Sequence, residues 1–113
     1  MDLGTAREIA LREFDGEEYD HFDKPAYRVR PARPGGKPGK TFMTLWLDLK
    51  RAVLMLDVEQ QSALCARYPE GFLPHPSKWG AKGATFVDLG KVNADVFRMA
   101  LAAARRNAEP RRK

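Results

Sequence analysis

Hydrophobic and polar positions recur with two different periods along this chain, and the switches between them outline its elements. Leu3, Ala6, Ile9 and Ala10 share one face at helical spacing. Thr5 with Glu8 three residues on has the form of a capping box, and Asp2 is an alternative cap. The acidic run EFDGEEYDHFD, broken at Gly16, does not continue that period and reads as an exposed connection. From Pro25 the period becomes two, so that PAYRVR, KTFMTLWLD and RAVLMLD predict three strands. In the first, Tyr27 and Val29 take one face while Arg28 and Arg30 take the other. In the second, Phe42, Thr44 and Trp46 oppose Met43, Leu45 and Leu47, and Trp46 reads as core. The PARPGGKPGK stretch between these strands combines prolines that deny regular pairing with glycines that permit tight turns, the composition of a projecting hairpin loop. Only Leu49 and Lys50 separate the second strand from the third, and that pair is not favoured in a tight turn, so either the strands end near Asp48 or the loop is longer.

Asp57, with Gln60 three residues on, predicts the start of a second helix through VEQQSALCARY to Pro69. EGFLPHPSKWGAKG follows as a long turn-rich connection, and ATFVDLG as a last strand. Asn93 caps a closing helix whose Val96, Phe97, Ala100, Leu101 and Ala104 form an apolar stripe, with Val92 placed to staple onto Phe97. The order helix, three strands, helix, strand, helix predicts an α+β domain, with an antiparallel sheet of four or five strands covered by helices on one side. One domain is expected over residues 1–107, followed by a basic tail over 108–113.

Charge changes this picture more than composition does. The 113 residues are 43% hydrophobic and 31% charged, enough for a core without disulfides. The net charge of +5 is unevenly spread: residues 1–23 hold eight acidic and two basic side chains, and residues 24–51 hold eight basic and one acidic. The acidic block either folds onto the basic one or leaves it free for an anionic partner. No apolar run is long enough to span a bilayer and the start has no basic and apolar leader, so a soluble, cytoplasmic protein without a membrane partner is expected. The single Cys65 falls in a helical pattern and reads as a small hydrophobe.

Catalytic motifs are not evident. His21, His75 and Cys65 lack ligand spacing for zinc, the carboxylates between Glu13 and Asp23 lack that of a calcium loop, and RPGGKPGK is followed by a strand instead of the helix a phosphate-cradling loop needs. No metal, cofactor or enzymatic activity is therefore expected. His21 reads as a residue fixing the start of a strand through a hydrogen bond, and His75 as an exposed loop residue. The basic residues form a more specific set. Arg28, Arg30, Arg33, Lys37, Lys40, Lys50 and Arg51, with Lys78, Trp79 and Lys82 further along, fit a surface that contacts nucleic-acid phosphates, the Gly/Pro-rich loop lying along a groove as a wing. The competing explanation is a solubilising surface on a basic protein. A small-molecule or protein-interaction module is the alternative function, for which a pocket lined by His21, Tyr27 and Trp79 is the sign.

The motifs HFDKPAYRV, TFMTLW and RAVLMLDVEQQSALCARYPEGFLPHPSKWGAKGATFVDL, followed by the closing helix, resemble the MmcQ/YjbR family over nearly the whole chain. That resemblance implies a CyaY-like α+β fold and DNA binding by a double-wing arrangement, in a bacterial cytoplasmic protein favoured to be a monomer. Met55 stands where many members carry Lys, and Ala84 where many carry Trp.

Overall fold

The structure, a computed structural model, describes residues 1–110. Its helices are α1 (Leu3–Glu8), α2 (Val58–Arg67) and α3 (Ala94–Ala108), and its strands are β1 (Gly16–His21), β2 (Lys24–Val29), β3 (Thr41–Trp46), β4 (Arg51–Met55), β5 (Phe72–Pro74) and β6 (Ala84–Asp88). All six strands join one antiparallel sheet in the order β1-β2-β3-β4-β6-β5. The fold is thus α+β as the periodicity predicts, with two strands, β1 and β5, beyond those the patterning marks.

The caps explain where the helices begin. The Asp2 carboxylate accepts from the Thr5 amide at 2.8 Å, so Asp2 and not Thr5 starts α1. Asp57 and Gln60 form the reciprocal capping box at the start of α2, at 2.7 and 3.0 Å. Asn93 accepts from the Val96 amide to start α3. After Glu8 the first helix widens into a π turn over Ile9–Glu13. The third helix runs through Ala108, one residue into the expected tail, and residues 111–113 of that tail lie outside the described residues.

The helices cover one face of the sheet. Tyr27, Met43, Leu45, Ala52, Leu54 and Val87 point to that side, where α3 brings Phe97, Ala100, Leu101 and Ala104 and the first helical segment brings Ala6, Ile9 and Ala10. Alternation on β3 is broken by a bulge: Tyr27 pairs with Met43 but Arg28 with Thr41, leaving Phe42 as the extra residue, and Phe42 and Met43 both enter the core. Among the described residues, none of the three α-helices lies across the opposite face. It carries a small cluster of Val53, Ala84 and Phe86, against which Trp46 packs, so Trp46 belongs to the open face and not to the core.

Register fixes which connections share an end of the sheet. Met55 pairs with Ala84 and Val29 with Gly16, whereas Arg51 pairs with Asp88 and Lys24 with His21. The 30–40 loop and the 75–83 loop therefore leave from one end, and the 22–23 and 47–50 turns from the other. Three strand spacings of roughly 4.8 Å put the roots of the two long loops about 14 Å apart.

Candidate functional site

β1 forms because it answers the charges of β2. Glu17 lies opposite Arg28 and Glu18 opposite Tyr27 in the antiparallel register. Arg28 Nε donates to Glu17 at 2.7 Å while its guanidinium lies over the Tyr19 ring at 4.4 Å, and Arg30 Nε donates to Asp15 at 3.0 Å. The acidic run read as an exposed connection is thus a paired edge strand, and it engages two of the arginines assigned to phosphate contact.

Tyr27 is the clearest displacement from expectation. Its side chain is buried on the helix side, where its hydroxyl donates to Glu18 at 2.6 Å, and Arg7 clamps the same carboxylate at 2.8 and 3.2 Å. Arg7 and then Tyr27 hold the Glu18 carboxyl below its usual range, and burial followed by the carboxylate pushes the Tyr27 hydroxyl far up. Tyr27 therefore takes no part in any pocket with His21 and Trp79.

His21 and Trp79 do meet a common cavity. A groove of about 540 Å³ crosses the open face of the sheet, floored by Thr44, Trp46, Val53 and Met55, with Tyr19, His21, Phe22 and Lys24 on one wall and His75, Ser77, Trp79 and Ala84 on the other. Met55 and Ala84 both line it. No aspartate or glutamate does. Lys24 Nζ sits 4.5 Å from the centre of the Trp46 ring, and Lys82 and Lys78 lie 5.1 and 5.7 Å from that of Trp79. Below them His75 stacks on Phe86 at 4.8 Å, and Trp46 meets both rings edge-on at 5.2 and 5.5 Å.

Each wall is held by local chemistry. On one side, Phe22 and Asp23 form a two-residue hairpin turn with φ of 51° and 66°, the left-handed geometry of a type I′ turn. Phe22 is 83% exposed there, a bulky ring in backbone geometry that Gly or Asn adopts more easily. His21 meets Phe22 edge-on at 4.7 Å and Tyr19 at 6.0 Å, so its role is aromatic packing in place of the hydrogen bond expected of it. Tyr19 in turn shares a hydroxyl hydrogen bond with Thr41.

On the other side the 75–83 loop is tied to the sheet. His75 and Ala84 exchange bonds with the loop, His75 N to Ala84 O at 2.9 Å and Ala84 N to Trp79 O at 3.0 Å. The Ser77 amide donates to His75 Nδ1 at 3.1 Å, so the neutral ring carries its proton on Nε2. Gln61 of α2, only 8% exposed, sends its Nε2 to Gly80 O and Ala84 O at 2.9 and 3.0 Å. Gly83 is needed at the corner: its φ is +116°, and a Cβ there would fall 2.0 Å from Leu56 O. Trp79 is left 53% exposed on this fixed support.

The remaining predicted residues divide by place. Arg33, Lys37 and Lys40 lie in the exposed 30–40 loop, and Lys78, Trp79 and Lys82 in the 75–83 loop at the same end of the sheet. Among the described residues, none of these five cations lies within 4.0 Å of a carboxylate, unlike Arg28 and Arg30. Lys50 is at the opposite end, in a left-handed turn position after Leu47–Leu49, and the Arg51 guanidinium lies over Phe86 at 5.3 Å. Compared with family models, curated proteins and solved structures, the chain has no match in any of the three. No helix among the described residues is long and apolar enough to cross a membrane, and no group of three or more His, Cys, Asp or Glu among them is placed to hold a metal ion.

Sequence reasoning missed Lys24, Trp46, Phe22, Tyr19 and His75 as lining residues. A signal was present in PAYRV and TFMTLW: with only three helices to cover a broad sheet, one strand face had to stay open, and it is the face of Arg28, Thr44 and Trp46.

Proposed function

We propose that this protein belongs to the MmcQ/YjbR family and binds DNA through its two long loops. The observation that carries this reading is the placement of Arg33, Lys37, Lys40, Lys78 and Lys82 on two loops that leave the same end of the sheet with roots about 14 Å apart. The separation is close to the ~12 Å width of the major groove, so the loops suit phosphates on either side of it. These contacts fix position on the duplex without reading sequence. Arg28 and Arg30 contribute less than the charge pattern implies, because Glu17 and Asp15 already occupy them.

Titration of a labelled random duplex at several salt concentrations tests the reading. Five phosphate contacts give a log–log slope of about −4.5, or a loss of about 500-fold between 50 and 200 mM salt. Replacing Arg33 and Lys37 by alanine should bring that slope to about −2.7. An unchanged slope rules the 30–40 loop out of the interface.

A second reading, a small-molecule-binding module, is favoured by the groove. Its volume falls within the ~300–1,000 Å³ of ligand sites, and its lining joins aromatic surface to a few polar groups.

A further inference from the structure

Large apolar side chains left in water need a reason, and on this molecule several of them share one place. Phe22, Trp79 and Met55 are all exposed and all line the groove. Phe22 holds its position in a left-handed backbone geometry unfavourable to a bulky side chain. Trp79 is presented by a loop anchored to the sheet and to Gln61. Aromatic rings on two walls, with an aromatic floor residue between them, suit a flat ring system.

The charge around the groove narrows the ligand further. Lys24 lines it directly, while Lys78 and Lys82 flank Trp79. The carboxylates nearest in sequence stand elsewhere: Asp20 alternates to the other face of β1, and Asp23 sits in the turn outside the lining. Lysines beside the groove attract a ligand of opposite charge, and a lining without carboxylates does not repel it. We infer that the groove binds a planar aromatic ring carrying an anionic group, the ring between the Phe22 and Trp79 walls and the anion at Lys24. This inference rests on the small-molecule reading and does not require the DNA reading.

The chain has two tryptophans and both line the groove, so intrinsic emission reports its occupancy. The protein is titrated with 1-naphthyl phosphate, with 1-naphthol and with inorganic phosphate, each detected by competition or quenching at constant ionic strength. The phosphate ester should bind saturably at one site and at least tenfold more tightly than either fragment. Lys24→Gln should bring the ester to within about threefold of 1-naphthol, Trp79→Ala should weaken both ring ligands by tenfold or more, and Lys91→Ala, an exposed cation outside the groove, should change neither. Equal binding of ester and naphthol would overturn the anionic assignment while leaving the groove a ring site. Failure of every ring compound to bind would overturn the small-molecule reading itself. Because Trp79→Ala removes a reporter, its affinities are read by calorimetry, and an intact thermal transition excludes misfolding as the cause.

Discussion

The network of Arg7, Glu18 and Tyr27 ties the first helix, β1 and β2 together through one carboxylate. Glu18 accepts from both partners, and its carboxyl is held below the usual range. A carboxyl with a lowered folded value stabilises the fold fully above about pH 4.3, its ordinary value, and loses that contribution as the pH falls through the lowered one. Tyr27→Phe should cost about 1.5 kcal/mol at pH 7 and shrink the acid-side loss of stability, measured as urea midpoints at pH 7 and pH 3. Gln61 acts at a distance in the same way. Gln61→Leu removes its bonds to Gly80 in the 75–83 loop and to Ala84 at the start of β6 and should lower stability by about 1–2 kcal/mol, with Trp79 emission shifted to longer wavelength. Neither role is visible in the sequence, since Tyr27 was as eligible for a pocket as for the core. Period two sorts residues into two faces but does not say which face the helices cover.

Among the elements, β2, β3, β4, β6 and the three capped helices follow from pattern, because an apolar half-buried strand and an N-cap each leave a local signature. The β1 strand escaped because half of its residues are acidic, and an edge strand is stabilised here by cross-strand pairs such as Glu17 with Arg28 that periodicity cannot register. β5 escaped because three residues ending in Pro74 carry too little pattern. The β3 bulge is equally silent in sequence, yet it sends Phe42 into the core. At the β1–β2 turn the element and the site make opposite demands. Replacing Phe22-Asp23 by Asn-Gly matches the type I′ preference and should raise stability by about 1 kcal/mol in thermal or urea unfolding. The same change should weaken 1-naphthyl phosphate in the groove. A stabilised variant with undiminished ligand affinity would show that Phe22 is not part of the binding wall.

At the scale of the whole molecule, charge is arranged as cancelled and uncancelled regions. Glu17 neutralises Arg28 of β2 and Asp15 neutralises Arg30 just beyond it, while Arg33, Lys37, Lys40, Lys78 and Lys82 stay without carboxylate partners among the described residues. Substituting Glu17→Gln together with Asp15→Asn should release Arg28 and Arg30 and steepen the salt dependence of duplex binding, by up to about two contacts. An unchanged slope would place both arginines away from the nucleic acid even when free. The composition of the patch could be read from the chain, but its cancellation could not, because cancellation depends on a strand pairing that the acidic run did not announce.

The sheet is open at both sides, and its two outermost strands protect those sides by different means. β5 offers only three residues, ending in a proline that has no amide to donate, whereas β1 is six residues long and guarded by Glu17, Glu18 and Asp20. Replacing Glu17 and Asp20 by threonine removes two of those guarding side chains while the backbone groups of β1 remain available. That double substitution should therefore turn the outer side of β1 into a template for strand-to-strand polymerisation, and light scattering at pH 7 should rise with protein concentration before the helical signal is lost.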